Sequence, residues 1–321
     1  MQESYDMKKE TFGIQSSDKK HTLHIVSWKP DYEIKAAVQI VHGMVEFIER
    51  YDDFARYLCS QGIAVIGHDH LGHGETAGHD DDLGYFAREG GDEFLIEDMF
   101  LVTEEMKWMF PCVPYFVLGH SMGSFCLRKY MTMYGDQVDG VILMGTGQMP
   151  LPVIKAGKSM AAVMMATKGR RYRSKQLASI AFAGYLNKIP EPRTSMDWLT
   201  RDESIVDAYL SNKYNTFIFT VSAFHDFFQI LEYDMKMTHW EKIPQDLAIL
   251  IVSGDQDPVG GWGSGPKRLS QIYKKQGFTN VSLRLYEGYR HEILNELDRQ
   301  TVYRELAGWV LKNAAKRRWN D

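Results

Sequence analysis

Tyr115-Phe116-Val117-Leu118-Gly119-His120-Ser121-Met122-Gly123 decides how the rest of the chain is read. Four apolar residues run into Gly-x-Ser-x-Gly, and Ser121–Tyr134 reads as a helix ending at Gly135. A buried strand, a turn with glycines on both sides of a serine, and a helix therefore follow one another. A turn this sharp holds Ser121 in a strained backbone conformation with its hydroxyl exposed, and the glycines leave room for the chain to approach the helix. His120 adjoins the serine in sequence, but neighbours at such a turn point apart, so it is read as structural.

Outward from this stretch, apolar segments alternate with helical ones. Ala36–Val41, Ile63–Gly67, Val138–Met144, Leu247–Val252 and Val281–Tyr286 read as strands, and Arg50–Gln61, Phe94–Met109, Leu269–Gln276 and about Gln300–Lys316 as helices. Thr11–Gln15 and Thr22–Trp28 flank the turn-like SSDKK and suggest a hairpin. Apolar strands alternating with helices predict a mostly parallel sheet buried on both faces. Between about Gly147 and Ile243 the alternation fails and only helical periodicity remains. The expected organisation is a core of residues 1–146 and 244–321 with a helical cap at 147–243.

The 321 residues are 44% hydrophobic and 25% charged, with a net charge of −5, as in an ordinary soluble globular protein. An acidic balance excludes a basic nucleic-acid-binding surface. No apolar run has the length of a transmembrane helix. The polar N-terminus MQESYDMKKE lacks the apolar core of a secretory signal. Cys59, Cys112 and Cys126 form neither a metal pattern nor a disulfide framework. Together these features predict a cytoplasmic protein.

An exposed serine on a strand-to-helix turn calls for a base, an acid and an oxyanion hole. In this arrangement the order along the chain is serine, acid, histidine. His291 follows the last strand and is selected as base by that order. The loop after Leu247–Val252 offers two acids, Asp255 and Asp257, and spacing alone does not choose between them. A turn aspartate can instead bond loop amides. Oxyanion donors are expected at the backbone N–H of Met122, the first residue of a helix, and of Met44, after the strand ending at His42-Gly43. His68-Asp69-His70-Leu71-Gly72-His73 imitates a metal site, but Gly72 stands where the pattern needs aspartate. The histidines also sit at a strand end, so no metal is assigned.

Taken together, His42-Gly43-Met44-Val45-Glu46, Arg50-Tyr51, HDHLGHGET at 68–76, GHSMG at 119–123, SGDQDPVG at 253–260 and YEGYRHEILNE at 286–296 resemble the lysophospholipase and monoacylglycerol lipase group of α/β hydrolases. The similarity covers about residues 35–145 and 245–310. It implies the α/β-hydrolase fold, Ser121 as nucleophile, Asp257 as acid, His291 as base, a cap that forms an acyl pocket, and no cofactor. The implied partner is a small ester, an acyl-chain lipid, with the cap in transient contact with a membrane surface. Phe47 and Leu71 depart from the polar residues of the group's motifs, and the cap carries no alignable motif. Small-ester hydrolysis, amide or peptide hydrolysis and acyl transfer use the same triad and stay open as alternatives. A non-catalytic binding protein on this fold is the reading from another class.

Methionines 149, 160, 164 and 165 and phenylalanines 217, 219, 224, 227 and 228 suit either an adaptable pocket or the burial of the cap on the core. The basic run Lys168–Arg173 is read as a solvated loop, with anionic lipid head groups as the alternative. Lys316-Arg317-Arg318 is read as a solvated helix end.

Overall fold

The computed structural model describes residues 7–317. Residues 1–6 of the polar N-terminus, Arg318 and the side chain of Arg317 lie outside the described part. Among the described residues eight strands form one sheet: β1 (Met7–Gln15), β2 (Thr22–Pro30), β3 (Ala36–Val41), β4 (Ile63–His68), β5 (Tyr115–His120), β6 (Gly140–Met144), β7 (Ala248–Gly254) and β8 (Val281–Tyr286). Their order is β1-β2-β4-β3-β5-β6-β7-β8. β2 runs antiparallel to β1 and β4, and the remaining neighbours are parallel. This is the α/β-hydrolase fold.

Burial follows the strand period. The five strands β3 to β7 are buried along their whole length, whereas the edge strands β1 and β8 alternate. On β3, Ala37 and Val41 face one apolar layer and Ala36, Val38 and Ile40 the other. The first layer is closed by α2 (Gly91–Met109), α3 (Met122–Tyr134) and α8 (Ser264–Lys275). The second is closed by α1 (Asp52–Ser60) and α9 (Arg299–Arg317). Gln39 is a polar residue in the middle of β3, and both ends of its amide are hydrogen-bonded. It donates to the Met99 carbonyl at 2.9 Å and accepts from Thr103 at 2.7 Å and Tyr115 at 2.6 Å, as a buried amide must.

Between β6 and β7 lie four further helices among the described residues: α4 (Leu151–Lys168), α5 (Lys175–Ala181), α6 (Glu203–Ser211) and α7 (Val221–Asp234). α7 belongs both to the inserted helices and to the first apolar layer. It packs on α4, yet Phe224, Ile230 and Leu231 join the core with Leu95 and Leu127. Ser174, Asp202 and Thr220 cap α5, α6 and α7 by accepting from backbone N–H groups of the first turn, which sets where each helix begins.

The basic run at 168–173 is not a free loop. Arg171 pairs with Asp82 and lies over the Tyr85 ring. Arg173 donates to the carbonyls of Asp81 and Leu83, both at 2.7 Å, and Arg170 to that of Arg88 at 2.7 Å. The run ties the inserted helices to the core loop at 80–88. No helix of the described residues is long and apolar enough to cross a membrane.

Candidate active site

The parallel strands β5, β3 and β7 deliver three loops to one end of the sheet, where ligands bind in open α/β sheets. Ser121 sits between β5 and α3 with φ 51° and ψ −119°, a conformation that L residues rarely adopt and that marks functional strain. The residues two places to either side must be glycine. A Cβ on Gly119 would stand 2.5 Å from the Gly123 carbonyl oxygen, and one on Gly123 would strike the Val41 carbonyl. Met122 is the first residue of α3, so its N–H has no carbonyl partner within the helix.

His291 lies in the loop after β8 and Asp257 in the loop after β7. His291 Nδ1 stands 2.9 Å from Asp257 Oδ1. Asp257 is fully buried. Its Oδ1 also accepts from the Val259 N–H at 2.9 Å and its Oδ2 from the Ser253 hydroxyl at 3.1 Å. Asp255 does something else: its Oδ1 accepts from the Gly288 N–H at 2.8 Å and from Gln256 at 3.1 Å. Asp257, not Asp255, therefore reaches the imidazole, and Asp255 ties the β7 loop to the loop that carries His291. Ser121, Met122, Met44 and His291 line one cavity of about 950 Å³ beneath the inserted helices.

The methionine and phenylalanine set divides between the two expected roles. Met149, Phe217, Phe219, Phe224 and Phe227 line the cavity. Met160, Met164 and Met165 pack on the core layer, and Phe228 is buried in it.

The loop after β3 is held by several contacts. Gly43 lies against the turn of Ser121, and a Cβ there would meet Ser121 Cβ at 3.0 Å. Val45 is β-branched yet has φ 56°, a strained position. Its carbonyl accepts from Tyr209 at 3.0 Å and Asn215 at 2.9 Å, both from the inserted segment. Its N–H donates to His73 Nε2 at 3.3 Å.

Glu46 joins this loop to the other two. Its Oε1 accepts from the Gly43 N–H, from His120 Nδ1 at 2.8 Å and from the Tyr51 hydroxyl at 3.0 Å. Its Oε2 accepts from Arg50 at 3.0 Å, and Arg50 forks onto both oxygens of Glu292 at 2.7 Å. Burial opposes the Glu46 charge, yet His120 and Arg50 hold its carboxyl well below the usual range. Burial likewise opposes the His120 charge, and Glu46 beside it raises that imidazole above its usual value. Buried charges of this kind persist only when paired and hydrogen-bonded. The His120 and His291 rings lie 4.8 Å apart. Sequence reading noted Glu46 and Arg50 as parts of motifs but assigned them no task. Tyr209 and Asn215 give no signal in sequence, because their contact with Val45 spans about 165 residues.

The metal-like histidine run is a hydrogen-bonded and ring-packed cluster. His42 Nδ1 bonds the Gly43 carbonyl at 2.8 Å, and its Nε2 accepts from the His70 N–H at 3.0 Å. The His42 and His70 rings are 4.3 Å apart, and those of His68 and His70 are 4.8 Å apart. Asp69 accepts from the backbone of Ile48 at 2.8 Å and Glu75 at 2.9 Å. Among the described residues no group of three or more His, Cys, Asp or Glu could hold a metal ion.

These histidines carry a pH dependence. Burial lowers His68 to about 3 and His73 to about 4, and holds His42 and His70 well below their usual value. An unfolded chain takes up these protons as pH falls through about 6.5, whereas the folded protein resists to about 3–4. In that window the unfolded state binds more protons, so stability falls with pH, by up to about 1.4 kcal/mol per pH unit for each histidine. Asp69 and Asp234, raised by burial to about 6 and about 7, act oppositely in that window, and so does His120, raised by Glu46, so they offset part of the effect of the four histidines. The urea midpoint is expected to be lower at pH 5 than at pH 7, by less than four unopposed histidines would give; a midpoint that rises there would contradict buried neutral histidines.

Comparison with known proteins now bears on this geometry. Residues 32–298 match the family model described as serine aminopeptidase, S33. The chain belongs to that family. It is a serine hydrolase. Among its relatives are a monoacylglycerol lipase of Mycolicibacterium smegmatis, 25% identical over 89% of this chain and 91% of the relative, and a monoglyceride lipase of Rattus norvegicus, 27% identical over 88% and 84%. The crystal structure of a thermostable carboxyl esterase from Bacillus coagulans in complex with glycerol superposes with a TM-score of 0.89, at 27% identity, over 96% of this chain and 100% of that one.

Proposed function

We propose that this member of the family hydrolyses carboxylic esters of single-chain lipids, monoacylglycerols or lysophospholipids, through an acyl-enzyme. Ser121 Oγ attacks the ester carbonyl and passes its proton to Nε2 of His291. Asp257 accepts the Nδ1–H and stabilises the imidazolium that forms. The N–H groups of Met44 and Met122 receive the oxyanion. His291 then protonates the departing alcohol, and water, deprotonated by the same imidazole, releases the fatty acid and restores the serine. Residues 147–243 act as the cap over the acyl chain. Three unpaired cysteines support a cytoplasmic setting.

The observation that carries this reading is the cavity. Its volume of about 950 Å³ is at the upper end of the roughly 300–1,000 Å³ typical of ligand sites, and its walls are mostly apolar, with six Phe, four Met and four Leu among them. The family description raises peptide hydrolysis as the competing reading. An aminopeptidase needs an unpaired carboxylate for the substrate's ammonium group. The two acids on this wall, Glu46 and Glu292, are both engaged by Arg50, which favours an ester with an apolar tail.

A panel of p-nitrophenyl esters from acetate to palmitate, with monoacylglycerol, lysophosphatidylcholine and leucine p-nitroanilide, tests the assignment. Each methylene taken from water contributes about 0.8 kcal/mol, nearly fourfold in kcat/KM, until the pocket is filled. A rise of at least about tenfold from acetate to butyrate is expected. Acetate as best substrate would indicate a small-ester enzyme, and preference for the anilide a peptidase.

A further inference from the structure

His291 stands in an irregular loop, yet its imidazole must keep one orientation to serve Ser121. The bond to Asp257 fixes Nδ1 alone. A ring held at one atom can still swing about that bond, and a displacement of about 1 Å at a reacting group costs on the order of 10²-fold in rate. A second contact, against the ring itself, is needed.

Trp198 supplies one. It belongs to the inserted segment, between α5 and α6, is 6% exposed and lines the cavity together with His291. Its ring lies 5.0 Å from that of His291, centroid to centroid. Tyr185 braces it at 4.8 Å and nearly at right angles, 75°, and Phe182 at 6.1 Å. Ile189 and Leu199 are buried with it in a small apolar cluster. Burial and the nearby Asp257 charge push the Tyr185 phenol up, so the same aromatic wall reaches the acid as well as the base. His291 is 2% exposed and Asp257 0%.

The backbone makes a second, independent observation. The Trp198 carbonyl accepts from the His291 N–H at 3.4 Å, and the Leu199 carbonyl from the Glu292 N–H at 2.7 Å. The carbonyls of Asp197 and Thr200 accept from the Arg290 guanidinium at 2.6 and 3.0 Å. Residues 197–200 thus grip residues 290–292, and Trp198 cannot shift without the loop that carries the base. Filling an apolar cluster does not by itself call for that registration.

We propose that Trp198 is a positioning residue for His291: its ring fixes the plane of the imidazole and, with Tyr185, keeps water from the Asp257–His291 bond. A base oriented before the substrate arrives needs no reorganisation during attack, and a dry site strengthens the bond between carboxylate and imidazole. The inserted segment then takes part in the chemistry as well as covering the acyl chain. The proposal rests on the triad reading above, in which His291 is the base.

The rate at which a fluorophosphonate labels Ser121 reports the base without any ester, so the two readings fail separately. Trp198→Ala is expected to lower that rate, and kcat for p-nitrophenyl acetate, by about 10–10²-fold, with KM for this short ester little changed. Trp198→Phe, which keeps a ring against the imidazole, is expected to restore most of both. The Nδ1–H of His291 is expected to give a low-field proton resonance in wild-type protein and to be lost to exchange with water in folded Trp198→Ala, a change that weaker packing alone does not produce. Where Trp198→Ala does not fold, Trp198→Leu, which keeps the cluster apolar, is read in its place. A folded Ala or Leu variant that labels as fast as wild type and keeps the resonance overturns the proposal and leaves the triad standing. A loss confined to KM, or a Phe variant as slow as the Ala variant, overturns it too. Wild-type protein that takes no label overturns the triad reading and this proposal with it.

Discussion

Ser121→Ala is expected to lower kcat for ester hydrolysis by about 10⁴–10⁶, because the nucleophile of a serine mechanism has no substitute in the site. The protein should remain folded. The substitution removes one oxygen at a position whose strain, φ 51°, belongs to the backbone and is the same for serine and alanine. The Ser121 N–H bond to the Met144 carbonyl at 2.9 Å and the Ser124 bonds to the Ser121 carbonyl are unaffected. Circular dichroism and the thermal midpoint should therefore match wild type while activity disappears. A fluorophosphonate probe should label wild-type protein and leave the variant unlabelled, since only an activated serine reacts. Purified variant with a rate within tenfold of wild type would show that Ser121 is not the nucleophile.

The second large effect separates two aspartates only two residues apart. Asp257→Asn is expected to reduce kcat by about 10⁴, the cost known for the best-studied triad. Asparagine has no charge to stabilise an imidazolium, and its amide can turn a donor toward Nδ1 and favour the wrong tautomer. The Val259 N–H and the Ser253 hydroxyl can still bond the asparagine side chain, so the loop should keep its shape. Asp255→Asn is expected to keep most of the rate. Its task is to accept from the Gly288 N–H at 2.8 Å, which an amide oxygen can do. Any loss there should appear as stability, about 1 kcal/mol for a weakened hydrogen bond. An inactive Asp255→Asn beside an active Asp257→Asn would assign the acid to Asp255 and leave fold and nucleophile in place.

The two predictions differ in where their support comes from. Gly119-His120-Ser121-Met122-Gly123 is legible from sequence because its meaning is local: the strand, turn and helix that give it context occupy adjacent residues. The parallel sheet is legible for a similar reason. A strand buried on both faces is apolar at nearly every position, as Ile63–Ile66 and Tyr115–Leu118 are, and hydrogen-bonded Gln39 on β3 is an exception. The order of serine, acid and histidine along the chain is also a one-dimensional property, and it selected His291 before any contact was known.

The choice between Asp255 and Asp257 lies beyond that reach. Both follow β7 in an irregular loop, where side-chain direction depends on backbone torsions and not on a fixed period. In the folded chain Trp262 N–H bonds the Asp257 carbonyl at 2.8 Å and Asp255 N–H the Tyr286 carbonyl at 3.0 Å, so the turn aims one carboxylate at His291 and the other at Gly288. The Glu46–His120–Arg50–Glu292 network is hidden from sequence for a stronger reason: its members come from loops up to about 245 residues apart, and only the parallel stacking of strand ends brings them together. The basic run at 168–173 reads as solvated because its acidic loop lies some ninety residues earlier. Sequence by itself determined the sheet and singled out Ser121 and His291 as candidate nucleophile and base, because each rests on local pattern or chain order. Tertiary structure alone decided which aspartate meets the histidine, which groups hold the loop of Met44, and which methionines and phenylalanines line the cavity, because those depend on distances between segments that chain order does not encode.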